Sequence, residues 1–438
     1  MSKSEFLRRC KEIRERVLSY KNPLIINHFD CDGIASGAIT AIALTKMKKK
    51  YNIITVRKLD TKTIESAIRH SEKDGEVIFV DLGGASQEID KIEEGVILDH
   101  HQTDGTKLLQ ANPHLFGFDG GTEISSSGVA YLVFGIRPDL AVVGAIGDMQ
   151  YPLSGLNRFL LEEGMKTGEV QIKIDLRLYG RGSRPLAQML EFADDPPLPH
   201  LSANPRACVE FLEKNGFWSE DKRNKSYYDL STEEQKKFVD SLILFLAQGG
   251  NEDIAKQIIG EVYTFPKQDI KTELYDASDF STLLNACGRH NKPEIGIGVC
   301  MGDKNAYQEA SLLLAKHRKK LREGLSFASS HLQDFGKFLF LDARGVIDDG
   351  IIGVVAGMVL PPNSKKPIFA IATDDIGGIK VSARANNALV TKGLNLGLIL
   401  KLSSVAVGGA GGGHKVAAGA QIPKEKLNDF LLKLNSNL

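Results

Sequence analysis

A chain of 438 residues is long enough to form two or three domains with buried cores. Its composition, 42% hydrophobic and 25% charged residues, is that of a globular protein and excludes a disordered or fibrous chain. The formal net charge is zero, with 55 basic and 55 acidic residues, so any surface that binds a polyanion must be local.

The five cysteines are scattered along the chain and form no CxxC pair. This spacing predicts neither a disulfide framework nor a zinc finger, and it is typical of a reducing compartment. The charged N-terminal segment has no apolar signal core, and the longest apolar stretches fall far short of the roughly 20 residues that span a bilayer. We therefore expect a soluble cytoplasmic protein without a membrane partner.

Strands and helices alternate in the first 150 residues. Buried strands are predicted at 23–30, 52–59, 76–84 and 95–101, and helices at 33–50, 61–72, 124–135 and 140–150. Continuous apolar strands that alternate with helices predict a mostly parallel sheet with helices on both faces. In such a sheet the functional crevice lies beyond the carboxyl ends of the strands.

The next part of the chain, about 151–325, has few strand signals. It contains a proline-rich connection at 181–205, predicted helices at 232–250 and 306–333, and on the second helix a basic cluster of Lys316, Arg318, Lys319, Lys320 and Arg322. This cluster fits a contact to a nucleic-acid backbone and a solvated helix face equally well.

Alternation returns after about residue 335. Strands are predicted at 336–343, 367–375 and 378–385, and helices at 351–360, 394–404 and 425–436, with a glycine-rich segment at 408–423 before the last helix. The whole pattern predicts an α/β protein in three parts: a parallel α/β domain at 1–180, a helical connector at 181–334 and a smaller α/β domain at 335–438.

Acids and histidines collect at the predicted carboxyl ends of the strands. They are His28, Asp30 and Asp32 after the first strand, Asp81 after the third, Asp99, His100 and His101 after the fourth, and Asp148 on a later helix. The first three converge if the extended strand persists to Asp32, because residues two apart in a strand point the same way. The Asp-X-Asp-Gly and VDLGG motifs alone are more often turns, and Asp148 alone fits a solvated helix residue, whereas Asp99-His100-His101 alone already favours a site. Together they favour a site, since clustered carboxylates repel one another without cations.

Carboxylate oxygens with some imidazole suit Mn²⁺ or Mg²⁺. Two such ions roughly 4 Å apart clamp an attacking water and a phosphate oxygen. The set therefore predicts two Mn²⁺ or Mg²⁺ ions as cofactor and metal-assisted hydrolysis of a phosphoester or phosphoanhydride.

The ordered motifs HFDCDG, VDLGG, LDHH and AIGD resemble those of the DHH phosphoesterases. SARA and GGGHKVAAG resemble the accessory C-terminal domain of that family, called DHHA1, which implies a substrate-binding role for 335–438 and a catalytic DHH domain at 1–180. The segment 183–212 resembles the archaeal RecJ-like branch, which includes the GINS-associated nuclease, a relative of a eukaryotic replicative-helicase component.

The resemblance also implies roles for single residues. The expected metal ligands are Asp30, Asp32, Asp81, His100 and Asp148, with Asp81 bridging the two ions. His101 is expected to face the scissile phosphate, and Asp99 to orient or assist. His28 is a catalytic candidate whose role stays open: bacterial RecJ enzymes tend to have aspartate there, and other branches place a histidine where this chain has Ile26.

Three glycines in the last motif, Gly411, Gly412 and Gly413, allow backbone N–H groups to approach a phosphate closely. His414 adds a donor, and Arg384 offers a planar fork that suits a phosphate. A glycine run alone is more often a flexible loop. Beside a four-motif metal site, these residues predict a clamp for a phosphate or a terminal nucleotide in the cleft between the lobes.

The leading hypothesis is a metal-dependent exonuclease of the archaeal RecJ-like type that acts on single-stranded DNA or RNA. A second is a phosphodiesterase for oligoribonucleotides or cyclic dinucleotides, against which the long middle region argues. A third is a replisome scaffold with a secondary nuclease site and a partner such as GINS. A class II inorganic pyrophosphatase is weaker still, because GGGH and SARA suit a nucleotide substrate.

Overall fold

The computed structural model describes residues 3–73, 75–84, 86–103, 105–193, 195–361, 363–374 and 377–438. The chain forms two compact units. Unit 1 consists of Met1–Ser183 and Ile259–Leu314, and unit 2 of Arg184–Ile258 and Ala315–Leu438. Each unit thus combines two separate stretches of chain. The three-part division at residues 180 and 334 stays a prediction.

The elements are numbered in chain order. The strands are β1 Leu24–His28, β2 Asn52–Val56, β3 Val77–Val80, β4 Gly95–Leu98, β5 Leu109–Ala111, β6 Gln171–Leu176, β7 Ile259–Thr264, β8 Gln333–Asp334, β9 Leu339–Asp342, β10 Ile368–Thr373, β11 Ile379–Arg384, β12 Ala410–Gly413 and β13 Ala417–Ile422. The helices are α1 Lys3–Ser19, α2 Cys31–Lys46, α3 Thr61–Lys73, α4 Ser126–Phe134, α5 Pro138–Gly147, α6 Gly155–Lys166, α7 Leu186–Glu191, α8 Pro205–Lys214, α9 Thr232–Gln248, α10 Glu252–Gln257, α11 Ala277–Arg289, α12 Pro293–Cys300, α13 Lys304–His331, α14 Ile352–Val359, α15 Asn387–Thr391, α16 Leu396–Val405 and α17 Leu427–Asn437. Short 3₁₀ helices occupy Gln87–Lys91, Pro113–Phe116, Tyr227–Asp229 and Lys424–Lys426.

Unit 1 is built on a five-stranded parallel sheet of order β2-β1-β3-β4-β5. Asn27 pairs with Val80, and Val80 with Leu98, so the carboxyl ends of the three central strands meet at one edge. The predicted parallel sheet is confirmed. Its strands end within a residue or two of the predicted motifs, which places those motifs together at this edge.

Alternate strand residues face two different cores. Ile25, Ile78 and Val96 pack in the cluster that contains α1, α2, α4 and α5. Ile26 and Phe79 pack against α3 on the opposite face. Helices therefore cover both faces, and both faces must be apolar, which explains the continuous apolar runs of these strands.

Three strands of unit 1 were not predicted. The short strand β5 extends the sheet beyond β4, and β6 and β7 form an antiparallel pair with Gln171 opposite Thr264. This pair joins the two stretches of chain that make up unit 1. Its first strand alternates polar and apolar residues and leaves Ile174 71% exposed, so no continuous apolar run marks it in the sequence.

The C-terminal part of unit 2 is a six-stranded sheet of order β12-β13-β11-β10-β9-β8. Only β9 and β10 are parallel neighbours. Helix α14 packs on one face, and α16 and α17 pack on the other. The predicted strand at 367–375 ends at Thr373, and Asp375 lies outside the described residues. In the described part of the chain, no helix has both the length and the apolar character needed to cross a bilayer.

The glycine-rich segment is regular structure and not a loop. Ala410–Gly413 forms the edge strand β12, which pairs antiparallel with β13. The start of α16 lies directly against the end of this strand: the Gly397 N–H donates to the His414 carbonyl at 3.1 Å. A Cβ atom at Gly397 would stand 2.1 Å from the Gly413 carbonyl oxygen, so only glycine permits this contact.

We expect Gly397→Ala to destabilise the full chain by about 1–3 kcal/mol, because backbone and helix must move apart to admit the methyl group. Gly357 on α14 is the matched control, since a Cβ there meets nothing closer than 3.9 Å. Gly357→Ala should be neutral or stabilise by up to about 1 kcal/mol through helix propensity. Chemical denaturation followed by circular dichroism measures both, and equal effects would contradict the assigned contact.

Candidate metal centre

The first motif turns sharply from strand to helix. β1 ends at His28, Asp30 is the N-cap of α2, and Asp32 lies in its first turn. The expectation that the extended strand reaches Asp32 is therefore wrong. The residues still converge, because the turn is tight: the Asp30 side chain accepts the Gly33 N–H at 3.0 Å, and a Cβ at Gly33 would stand 2.3 Å from the His28 carbonyl oxygen.

One cluster of candidate ligands consists of His28, Asp30 and Asp81, whose ligand atoms lie within 4.8 Å of one another. His28 Nδ1 is 3.0 Å from Asp30 Oδ2 and 3.4 Å from Asp81 Oδ2. Among the described residues, neither His28 Nδ1 nor Asp81 Oδ1 has a hydrogen bond of good geometry, although both atoms are buried. Buried polar atoms without such a bond fit a site that a cation completes.

A second cluster consists of Asp81, His100 and His101. His100 Nε2 lies 3.4 Å from Asp81 Oδ1 and 4.0 Å from Asp32 Oδ2, and His100 Nδ1 lies 3.7 Å from Asp148 Oδ2. Asp81 therefore belongs to both clusters and turns one carboxylate oxygen toward each. This arrangement is the one that a bridging ligand requires.

Asp81 is held in an unfavourable backbone conformation. Its φ is 63°, in the left-handed region that residues other than glycine rarely adopt. The Asp81 N–H continues the β-ladder by donating to the Leu98 carbonyl at 2.9 Å. The sheet thus fixes the backbone of Asp81 in this conformation, and the side chain that it carries is only 2% exposed.

Hydrogen bonds set the orientation of both histidines. The His100 Nδ1–H donates to the Gly120 carbonyl oxygen at 2.7 Å, which leaves Nε2 facing Asp81. Nε2 shares a proton with Asp81 in the metal-free centre, and losing that proton frees its lone pair for an ion. His101 Nδ1 lies 2.8 Å from Asp99 Oδ1, and the side chain is 56% exposed. His100 is thus oriented as a ligand, whereas His101 presents its ring outward.

Asp99 contacts both histidines that follow it. Its buried carboxylate accepts the backbone N–H groups of Gly84, His100 and His101 at 2.8, 2.8 and 3.2 Å, in addition to the His101 ring. Burial raises the pKa of Asp99, but the His101 imidazole outweighs it and lowers the pKa below the usual value. Three of these four contacts hold the two histidines, and the fourth ties Asp99 to Gly84 in the loop after β3.

The sequence reasoning missed the groups that hold the remaining two ligands. The Asp32 carboxylate accepts the N–H groups of Ser126 and Ser127 at 2.7 and 3.0 Å, in the first turn of α4. Gln150 donates to Asp148 Oδ2 and to the Gly120 carbonyl, both at 2.8 Å. The only signal in the sequence is a glutamine two residues after the last aspartate, in AIGDMQ.

The metal-free centre retains protons. Burial lowers the pKa of His28 and of His100, but the neighbouring carboxylates, Asp30 and Asp81 first among them, outweigh it and raise both pKa values well above normal. Burial raises the pKa of Asp32 to about 7 and that of Asp148 to about 6. Burial would also raise the pKa of Asp81, but His100 and His28 lower it instead. Divalent cations can replace the retained protons, so these residues fit such a cofactor.

The predicted substrate residues lie in unit 2, at one end of the C-terminal sheet. Arg384 ends β11, Gly412 and Gly413 lie on β12, and His414 follows in an exposed turn. One strand, β13, separates them, with Ala417 opposite Arg384, so the two groups are about 10 Å apart. A Cβ at Gly412 would meet nothing within 4 Å, so this part of the strand is open.

The basic cluster on α13 has acidic neighbours within unit 2. Lys320 pairs with Asp348, and the Arg322 and Lys319 side chains lie 3.7 and 4.0 Å from Glu191 and Glu323. These contacts favour the interpretation of this face as an ordinary charged helix surface. The cluster therefore carries no argument about nucleic acid.

Models of three protein families match the chain: the DHH family N-terminal domain at 22–147, the DHH-CID domain at 178–259 and the DHHA1 domain at 336–438. An uncharacterized protein of Methanocaldococcus jannaschii is 32% identical over 97% of this chain and 95% of its own length. The chain belongs to the DHH phosphoesterase family. It is therefore a metal-dependent hydrolase, as the sequence predicted.

Solved structures share the fold. RecJ from Thermus thermophilus in complex with Mn²⁺ matches with a TM-score of 0.60 and 17% identity, over 99% of this chain and 54% of that chain. This chain therefore spans about half the length of that RecJ. CDC45 from Entamoeba histolytica matches with a TM-score of 0.62 and 13% identity, over 99% and 97% of the two chains. The predicted α/β fold is confirmed. The predicted divalent-metal cofactor is also confirmed: the clusters offer carboxylate and imidazole donors, and RecJ structures of this fold hold Mn²⁺ or Mg²⁺.

We expect Mn²⁺ to bind more tightly at pH 8 than at pH 6, because the ligands must lose protons before they bind the ion. The raised pKa values of His28 and His100 stabilise the metal-free fold at low pH, and this stabilisation is lost as the pH rises through them. The increase in melting temperature on adding Mn²⁺ should therefore be larger at pH 8. Scanning calorimetry measures it, and titration calorimetry in buffers of different ionisation enthalpy measures the released protons.

Asp81→Asn is the control, because it removes the ligand that both clusters share. The variant should lose most of the Mn²⁺-induced increase in melting temperature at either pH. An increase of equal size at pH 6 and pH 8, or one that Asp81→Asn retains, would contradict the assignment of these residues to the metal.

Proposed function

We propose that the chain is a two-metal exonuclease that removes nucleotides from an end of single-stranded DNA or RNA, with Mn²⁺ or Mg²⁺ as cofactor. The observation that carries the proposal is the sharing of Asp81 between two clusters. One carboxylate oxygen lies 3.4 Å from His28 and the other 3.4 Å from His100. A bridging carboxylate of this kind suits in-line displacement at a phosphate.

Each cluster would hold one ion. His28, Asp30 and Asp81 would bind the first. The second would lie beside Asp81 and His100 of the second cluster, with Asp32 and Asp148 as further ligands and His101 left to the substrate. We propose His28 as a ligand rather than a proton-transfer group, because its Nδ1 is buried between two carboxylates. When bound, the ions supply a polarised water and neutralise the charge that develops on the phosphate.

His101 would then act on the substrate. The hydrogen bond between the His101 ring and Asp99 is the largest of the effects that raise the pKa of His101. The imidazole is therefore more readily protonated near neutral pH. A protonated, exposed ring beside the clusters can donate to an oxygen of the scissile phosphate and favour its additional negative charge. Asp99 keeps the ring in place and does not itself touch the reacting atoms.

The end of the C-terminal sheet would bind a second phosphate or the terminal nucleotide. Arg384 supplies the planar fork, Gly412 and Gly413 supply an open edge of backbone, and His414 an exposed donor. The chain between residues 377 and 424 contains six Lys and Arg residues and no Asp or Glu. This local positive charge supports a polyanionic substrate, although the whole chain is neutral.

The replisome scaffold is the second proposal, with a partner such as GINS. The likeness to CDC45 supports it, because it covers 97% of that chain. The complete set of candidate ligands argues that this chain also cuts. A small-substrate phosphodiesterase would use the same centre. A cleavage assay distinguishes a long strand from a dinucleotide as substrate.

The first experiment is a cleavage assay with Mn²⁺ on single-stranded DNA and RNA labelled at the 5′ or the 3′ end. We expect stepwise shortening from one end. Asp81→Asn should reduce the rate about 10³-fold, because it disturbs both ions and each supplies several kcal/mol of charge stabilisation. Asp253→Asn is the matched control, since its side chain is 91% exposed, and it should cut at the wild-type rate.

Each other result has a definite meaning. Cleavage of dinucleotides without shortening of long strands would favour the small-substrate phosphodiesterase. Hydrolysis of neither would favour the scaffold. Shortening that persists in Asp81→Asn would show that the proposed centre does not perform it.

The substrate role of the C-terminal sheet is tested separately. We expect Arg384→Ala and His414→Ala each to raise KM about 10-fold or more with little change in kcat, because each removes a charge-assisted or polar contact to a bound phosphate. Lys433→Ala on α17, an exposed position, is the control for lost positive charge. A fall in kcat at constant KM would contradict a binding role.

A further inference from the structure

Met149 stands at the rim of the metal centre, in the turn that ends α5. It lies between Asp148, a candidate ligand, and Gln150, which donates to the Asp148 carboxylate at 2.8 Å. Gln150 is buried, whereas Met149 is 82% exposed, the largest exposure of any large apolar side chain in the described part of the chain. Asp148 Oδ2 lies 3.7 Å from His100 Nδ1, so this turn belongs to the His100 side of the centre.

The turn is of a kind that favours glycine. The Met149 N–H donates to the Ile146 carbonyl at 3.1 Å, and the Gln150 N–H donates to the Ala145 carbonyl at 3.0 Å. A helix that ends with this pair of bonds has its next residue in the left-handed conformation, and that residue is usually glycine. Met149 has a φ of 60°, so its side chain is attached to a backbone that disfavours it.

Other helices of the chain follow the preference for glycine. The same pair of bonds ends α6, α8, α9, α12 and α16, and the residues at the left-handed position are Gly168, Gly216, Gly250, Gly302 and Gly408. After α2 and α11 the position holds the polar and exposed Lys48 and Asn291. Met149 is the large apolar residue in this set. Backbone preference and exposure both disfavour it there, and strained residues beside an active site commonly serve that site.

A methionine at this place suits contact with a nucleobase. Its thioether is polarisable and flexible, and it packs well against an aromatic ring. Every base has such a ring face, so the contact does not depend on the sequence of the strand. The ions and His101 would bind the scissile phosphate, and the base of the same nucleotide is the apolar group that lies nearest to it.

We propose that Met149 packs against the base of the nucleotide that is removed and thereby positions the scissile phosphate for cleavage. The inference rests on the proposed function and deepens it. The centre would hold its substrate by a base as well as by a phosphate, without reading which base it is. It would therefore favour the end of a nucleic-acid strand over phosphoesters that carry no base.

The test compares two substrates in the full-length enzyme. Met149→Ala should lower kcat/KM for an intact single strand about 3- to 10-fold, the loss expected for a thioether contact with an aromatic ring. The second substrate is the same strand with stable abasic nucleotides at the end that is shortened. The wild-type enzyme should cut it at least 3-fold more slowly than the intact strand. Met149→Ala should cut it within about twofold of the wild-type rate, because base and side chain make the same contact.

Two further variants separate this contact from a structural role. Met149→Gly relieves the left-handed backbone, so it should raise the melting temperature and still lose as much activity as Met149→Ala. Met149→Leu keeps the apolar bulk and should retain most of the wild-type rate on the intact strand. The Mn²⁺-induced increase in melting temperature should persist in all three variants. Activity that follows the melting temperature, or loss of the Mn²⁺-induced increase, would overturn the proposal.

Binding gives a readout that does not depend on cleavage. In an Asp81→Asn background, Met149→Ala should weaken the affinity for a fluorescent intact strand about 3- to 10-fold. The affinity for the abasic strand should stay unchanged. The slope of log K against log salt should also stay unchanged, because no phosphate contact is lost.

Met165→Ala is the matched control, because it removes the same type of side chain from an exposed position on α6 in the same unit. It should change neither readout. Equal losses of Met149→Ala on the intact and abasic strands, or no loss on either, would overturn the proposal. A wild-type enzyme that cuts no strand would overturn the proposed function instead, and the comparison of affinities would still decide the role of Met149.

Discussion

A carboxylate that is 2% exposed and lies between two imidazoles needs positive charge on both sides, as protons or as cations. Asp81 is in this position. Its backbone is fixed by the ladder between β3 and β4, and its two oxygens define where the clusters lie. The remaining candidate ligands, from three other segments of the chain, are arranged around this one carboxylate.

The surroundings of these ligands come from distant parts of the chain. Gly120 orients His100, the first turn of α4 holds Asp32, and Gln150 holds Asp148. Asn285 lies on α11, which follows the stretch of chain that belongs to unit 2. Its side chain accepts the N–H of Cys31, the residue between Asp30 and Asp32, at 3.0 Å. Unit 1 therefore needs its returning segment for the centre as well as for its core.

The sequence predicts the parts of this protein that repeat a local pattern. Apolar runs ending in acids and histidines predict the parallel strands and the members of the centre, because burial and charge are both visible in the residue types. Continuous apolar runs do not predict β6 and β7, which are half exposed and pair residues 83 to 93 positions apart. Nor do they show that Gly412 lies in a strand, since glycine has no strand propensity and pairing with β13 decides its conformation. The role of Ser126 is not visible either, because its N–H donates to Asp32, 94 positions away, and for Gln150 the only signal is its place two residues after Asp148.

Charge placement bears on the choice between a strand and a small substrate. The chain is neutral overall, so its positive charge attracts a polyanion only where it is concentrated. The stretch from 377 to 424, which contains six Lys and Arg residues and no Asp or Glu, is where the sequence concentrates it. In the proposed function, a dinucleotide without terminal phosphates has no second phosphate that a cation outside the clusters could bind. Cations outside the clusters would favour a substrate with further phosphates, which is why the proposed function names a nucleic-acid strand first.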